Sequence, residues 1–285
     1  MASVSVVPVA GSAVTVREWG NPGDPPLLYW HGLNPFGALE LNEAGPVWAS
    51  DYGFRVVAFA APGIADPRAL PDLTAYRPSR LADLVVEVAD SFGIERFAYV
   101  GWSWGASIGV HLGVRHPERL RALVLLDAGH TDIPGEPDKS LDEVLAEISE
   151  QHVRYRFADW DAFFEAARAT RPRWRPALEE RLRAGMREDN GEIVAASDRH
   201  AAAAAWHGLL QEQPSMTHAA LGQGDVPILL VRASGNDTAA AVERFHAAVP
   251  RAELRTIDSG HDLLADAPEE TIALVGSWLR AASGY

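Results

Sequence analysis

The stretch FAYVGWSWGASIGVHLG, residues 97–113, changes character twice in seventeen residues. Phe97–Val100 is a short apolar run rich in aromatic and β-branched side chains, which suits a buried strand. From Ala106 onward the residues are small and apolar, and Pro117 stops the run, which suits a helix. Between them stands Gly101-Trp102-Ser103-Trp104-Gly105. A turn this sharp brings strand and helix backbones together on both sides of the serine, where a Cβ has no room. Strand, G-x-S-x-G, helix is the setting that lifts a serine hydroxyl above the edge of a sheet.

The rest of the chain supplies that sheet. Ser3–Val9 and Ala13–Trp19 read as two β-type runs about Gly11, a hairpin. PPLLYWHG (residues 25–32) and FRVVAFAAPG (54–63) are continuous apolar runs ending in turns, as expected of strands buried on both faces of a parallel sheet. Ser79–Gly93 has helical spacing with a glycine at its end. RLRALVLLDAG (119–129), VPILLVRASG (226–235) and AELRTIDSG (252–260) read as further strands, AAAVERFHAAVP (239–250) and PEETIALVGSWLRAA (268–282) as helices. This alternation predicts an α/β fold, a mostly parallel sheet with helices on both faces.

The alternation stops between about Thr131 and Gln223, which reads as helices only. Ser140-Leu-Asp-Glu143 is a capping box, after which Leu141, Val144, Leu145, Ile148 and Tyr155 fall on or near one helical face. The expected organisation is therefore one core domain, residues 1–130 and 224–285, with residues 131–223 inserted as a helical cap, or lid.

Composition narrows the function classes. Of 285 residues, 47% are hydrophobic and 22% charged, ordinary for a globular protein. Asp+Glu number 39 against 25 Lys+Arg, a formal charge of −14, and no basic stripe stands out. The phosphate-neutralising surface of a nucleic-acid binder is absent, and anionic membranes are disfavoured. There is no cysteine, hence no disulfide, thiolate metal site or thiol nucleophile. No basic residue precedes Arg17, and no apolar run has the length of a membrane span. The expectation is a cytoplasmic protein acting on a small molecule. No H-E-x-x-H, dinucleotide or P-loop motif is seen, so no metal or organic cofactor is expected.

With these motifs the chain resembles the α/β-hydrolase family over nearly its whole length. The resemblance implies a nucleophile at Ser103 and, in the family's chain order, an acid and then a histidine. DSGHDLLADAPEE (258–270) is similar to the family's catalytic-histidine loop and makes His261 the base. The acid normally follows the preceding strand, which selects Asp237 in ILLVRASGNDTAA; the alternative is Asp127 in VLLDAGH, where some members keep it. YWHGLNPFG (29–37) resembles the oxyanion loop, so the backbone N–H groups of Leu33 and Trp104 would meet the developing oxyanion, and His31 would shape the loop. Ala60-Ala61-Pro62-Gly63 departs from the family, which often has an acidic residue there.

The implied activity is hydrolysis of a carboxylic ester or lactone through an acyl-enzyme on Ser103. Alternatives on the same elbow are amide or peptide cleavage of the proline iminopeptidase type, cofactor-free perhydrolysis, carbon–carbon-bond hydrolysis, and a small-molecule receptor that keeps a triad. A serine at 103 argues against the epoxide hydrolase and haloalkane dehalogenase branches, whose nucleophile is an aspartate. Trp102, with Trp160 and Trp206 from the insertion, is expected to line an apolar pocket.

Overall fold

The computed structural model describes residues 2–9, 11–154, 156–171, 173–282 and 284, without the side chains of 151–154. Its centre is an eight-stranded sheet of order β1-β2-β4-β3-β5-β6-β9-β10. The strands are β1 (Ser3–Val9), β2 (Ser12–Trp19), β3 (Pro26–Trp30), β4 (Arg55–Phe59), β5 (Phe97–Trp102), β6 (Leu120–Leu126), β9 (Ile228–Ala233) and β10 (Glu253–Ile257). β1 and β2 are antiparallel, and β2 is antiparallel to β4. From β4 to β10 every pairing is parallel. All residues of β4 and β5 are buried, as their unbroken apolar sequences require, whereas the edge strand β10 is exposed along most of its length.

Helices cover both faces. On one side α2 (Pro78–Ser91), α3 (Trp104–Arg115) and α9 (Ala239–Ala248) enclose a core containing Trp30, Phe59, Tyr99, Trp104 and Phe245. On the other, α1 (Ala44–Ser50), the short α10 (Leu263–Asp266) and α11 (Pro268–Ala282) enclose Leu27, Tyr29, Trp48, Val100, Trp102 and Trp278. Parallel pairing points the ends of β3, β5, β6, β9 and β10 to one edge. Ligands of open α/β sheets bind at that edge.

Between β6 and β9 lie α4 (Leu141–Arg154), α5 (Trp160–Ala169), α6 (Pro176–Ala184), α7 (Arg199–Gln211) and α8 (His218–Gly222). The capping box forms: Ser140 N–H and Oγ–H both donate to Glu143 Oε2, at 2.8 and 2.6 Å. Tyr155 lies outside the described residues. The segment is not helical throughout, as its sequence suggested. Met186–Asp189 and Glu192–Ala195 form an antiparallel hairpin, β7–β8. Its turn is Asn190-Gly191, both at positive φ, the two-residue turn whose twist matches a hairpin; the Asn-Gly pair was the available signal. Phe163, Phe164, Leu178, Leu182 and Ile193 make one small core of the insertion, and Val144, Ala203 and Leu210 another. The alanine face of α7 instead packs into the main core through Ala201, Ala204 and Ala205. Among the described residues no helix is long and apolar enough to cross a membrane.

Candidate active site

β5 ends at Trp102, paired in register with Leu126 at the end of β6. The residue after each, Ser103 and Asp127, has a left-handed backbone, φ 52° and 50°. Non-glycine residues rarely adopt this conformation, and it concentrates at functional turns. At the elbow it is enforced from both sides. A Cβ on Gly101 would lie 2.3 Å from the Gly105 carbonyl, and one on Gly105 would lie 2.2 Å from the Trp30 carbonyl oxygen. The turn is tied to the sheet by Ser103 N–H to Leu126 C=O (3.0 Å) and to the loop after β3 by Gly105 N–H to His31 C=O (3.2 Å).

The loop after β10 crosses the end of β9 and delivers His261 between these two residues. His261 Nε2 is 2.8 Å from Ser103 Oγ, and its Nδ1 is 2.7 Å from Asp127 Oδ2. Asp127 is buried, its side chain 0% exposed, and its Oδ1 accepts the N–H of Ala233 at 2.8 Å. Asn236 Nδ2 donates to Oδ2 as well. A carboxylate acceptor at Nδ1 selects the tautomer that carries its proton there and leaves Nε2 free to accept from the serine. His261 itself is 46% exposed, so solvent reaches the serine–histidine pair.

Asp237 is not part of this arrangement. It is exposed, past β9, and makes no contact with His261 among those described. This corrects the expected pairing: His261 meets the alternative carboxylate, Asp127, and not Asp237. The physical reason is local. Asp127 sits at the end of a central strand, where a left-handed residue turns its carboxylate beneath the imidazole. The loop after β9 presents Asn236 at that point and carries Asp237 past it. Nor does Asp237 cap α9, whose N-cap is Thr238.

The loop after β3 meets the elbow from the other side. Asn34 N–H donates to Gly32 C=O at 2.8 Å across a three-residue turn with Leu33 at its apex. Among the described residues, neither the Leu33 N–H nor the Trp104 N–H has an acceptor. His31 is buried and neutral. Burial pushes its pKa down to about 4, Nδ1–H donates to Gly32 C=O, and Nε2 accepts the Ala61 N–H at 2.9 Å. It shapes the loop and braces it on the Ala60–Gly63 segment.

The two tryptophans of the elbow face opposite layers. Trp104 belongs to the α2/α3 core, edge-on to Trp30 at 5.5 Å between centroids. Trp102 lies on the other face, its ring 5.5 Å from that of His261, and its indole N–H donates to His261 C=O at 2.8 Å. The other two indoles read as pocket lining sit in the insertion's own packing. Trp160 stacks on Phe164 with the Arg183 guanidinium over its ring and donates to Glu188. Trp206 packs against the Val144–Leu210 cluster.

Sequence reasoning did not find a buried polar network beside the histidine. Arg181 of α6 lies 2.6 Å from Asp262 Oδ2 and 3.4 Å from Glu40 Oε1. Glu40 also accepts from Tyr29 Oη–H and Asn34 Nδ2, each at 2.5 Å. Burial works against charge on Arg181, but the carboxylates of Asp262 and Glu40 outweigh it and hold the guanidinium protonated. Glu40 lies 141 positions from Arg181, and Asp262 81 positions beyond it; such spacings leave no local motif, so only a three-dimensional contact finds them. Among the described residues no group of three His, Asp or Glu side chains is arranged to hold a metal ion.

The model of the alpha/beta hydrolase fold matches residues 25–268, most of the chain. The chain belongs to the alpha/beta hydrolase fold family. Epoxide hydrolase A of Mycobacterium tuberculosis is 31% identical over 121 residues, 42% of this chain and 37% of that protein. The 2-hydroxymuconate semialdehyde hydrolase of Pseudomonas putida is 31% identical over 125 residues, 44% of this chain and 43% of that one. The chain thus spans less than half the length of these curated relatives. The crystal structure of E-2-(acetamidomethylene)succinate hydrolase superposes with a TM-score of 0.77 over 98% of this chain and 99% of that one, at 21% identity, a likeness of fold.

Proposed function

We propose that this alpha/beta hydrolase cleaves a small carboxylic ester or lactone through an acyl-enzyme on Ser103. The observation that carries the reading is the unbroken line Ser103 Oγ, His261 Nε2, His261 Nδ1, Asp127 Oδ2, with both spacings at hydrogen-bond length.

Each step follows from that line. Ser103 Oγ attacks the acyl carbon and its proton passes to His261 Nε2. Asp127 holds the Nδ1 proton and offsets the charge of the imidazolium. The carbonyl electrons move onto oxygen, where the Leu33 and Trp104 N–H groups receive them. Such preorganised donors stabilise the transition state more than the ground state. Collapse of the tetrahedral intermediate expels the alkoxide, which takes the proton from Nε2. Water then attacks the acyl-enzyme with Nε2 as base, and the acid departs with Ser103 restored. The insertion between β6 and β9 acts as a cap beside this site.

The test is a panel of chromogenic esters, lactones and aminoacyl amides. Steady multiple turnover of an ester or lactone is expected, falling at least about a thousandfold in Ser103→Ala. Turnover confined to aminoacyl amides would replace ester cleavage with peptide-bond cleavage. Tight binding with a single slow turnover would replace it with a receptor.

A further inference from the structure

The insertion reaches the triad through one side chain. Arg181, on α6, is only 5% exposed, yet its guanidinium meets parts of all three loops that build the site. Asp262, its partner at 2.6 Å, directly follows His261. Glu40, its second partner, holds Asn34, the residue after Leu33. Its charge also lies 5.3 Å from the ring of Phe36 and 5.8 Å from that of Trp102, whose N–H holds the His261 carbonyl.

A buried arginine between two carboxylates is a poor device for stability alone. Removing three charges from water costs much of what their attraction returns, and apolar side chains of the same volume usually serve as well. What the fork of a guanidinium supplies is direction, since its N–H groups fix the carboxylates in one plane. Docking of the insertion has a separate anchor. Arg175 pairs with Glu43 at 2.6 Å and donates to the Leu264 and Ala265 carbonyls. Attachment therefore does not depend on Arg181.

We propose that Arg181 is a positioning residue. It locks the histidine loop and the oxyanion loop into register with the elbow, so that seating of the inserted segment is a condition of a reactive Ser103. The inference rests on the serine hydrolase reading and adds to it a control residue outside the core fold.

The experiment compares wild type, Arg181→Lys, Arg181→Met, and a neutralised variant in which Arg181→Met is combined with Glu40→Gln and Asp262→Asn. The last removes the stranded charges, and asparagine at 262 still caps the helix that follows. Melting temperature, the rate of Ser103 labelling by phenylmethylsulfonyl fluoride, and kcat and KM on the best ester are read for each. The neutralised variant is expected to melt near wild type but to lose about a hundredfold in labelling rate and in kcat, the scale of a misplacement of about 1 Å. KM stays within a few-fold. Arg181→Lys, with the charge but not the fork, recovers no more than about a tenth of the lost rate. Labelling and kcat at wild-type levels in the neutralised variant would overturn the proposal and leave the hydrolase reading intact. Failure of wild type to label at Ser103, or equal labelling of Ser103→Ala, would instead overturn the hydrolase reading, and this inference with it.

Discussion

The ends of β6 and β9 carry the same residue type to opposite fates. Each strand is apolar, each runs to the same edge of the sheet, and an aspartate follows each. Asp127 comes immediately after β6, at φ 50°, buried, with bonds to His261, Ala233 and Asn236. Asp237 comes four residues past β9 and is exposed. The contrast teaches that the role of an acid depends on the backbone that aims it and on the donors that surround its oxygens. Asn236 shows the two ends as one device, since the β9 loop gives an amide to the carboxylate that β6 supplies.

Measured mutants would break or sharpen this contrast. Asp127→Asn leaves the shape intact but offers His261 an amide, favouring the wrong tautomer. We expect kcat to fall by about ten-thousandfold on an ester, the size of loss typical of this change in a triad. Asp237→Asn, assayed alongside, is expected to stay within about twofold. Equal losses at both positions would erase the distinction.

A parallel contrast holds between the histidines after β3 and β10. His261 is half exposed and placed to accept a proton, whereas His31 is buried with both nitrogens engaged. Its folded pKa, about 4, lies below the ordinary 6.5 because burial disfavours its charge. Between these values the unfolded chain binds the proton and the folded chain does not, so this contribution rises with pH and is lost as pH falls from 6.5 toward 4. The loss is about 3 kcal/mol. Glu40, which burial raises to about 7, acts in the opposite sense over an overlapping range. Urea unfolding of wild type and His31→Gln at several pH values isolates the histidine by difference, and a pH-independent difference would remove it from the account.

Exchanging the two ends tests whether they work as a unit. In Asp127→Asn combined with Asn236→Asp the carboxylate moves to the β9 loop, against the same hydrogen-bond partner. Recovery of about tenfold over Asp127→Asn alone is expected, since each added interaction with a charged group is worth about 1.5–3 kcal/mol when well aligned and less when displaced. No recovery would show that only the β6 position can aim an acid at Nδ1. Smaller still is Trp102→Phe, which keeps a ring against His261 but deletes the N–H to its carbonyl. One neutral hydrogen bond at about 1 kcal/mol corresponds to about a fivefold loss of kcat.

Much of the molecule is legible in the chain. Continuous apolar runs in β3, β4 and β5 announce strands buried on both faces. Gly101 and Gly105 announce the close approaches at the elbow, and Ser140 with Glu143 announces a helix start. These are local patterns, set by backbone sterics and hydrogen-bond periodicity within a few residues. The hairpin β7–β8 is hard to read because its strands are only four residues long and neither alternates apolar with polar side chains, although Asn190-Gly191 marks the turn.

By itself, then, the sequence determined the alternation of strands and helices, the elbow around Ser103, and the turn that presents His261. Only the tertiary structure decided between Asp127 and Asp237, because the two differ in how the end of β9 lies against that of β6, which no local pattern records. It also decided what the two tryptophans do, by sending Trp102 and Trp104, two positions apart across one turn, to opposite faces of the sheet. And it alone brought Arg181 to Glu40 and Asp262, since ion pairs between distant segments leave no spacing to read. Local geometry is written in neighbouring residues; the aim of a charged side chain is set by everything packed around it.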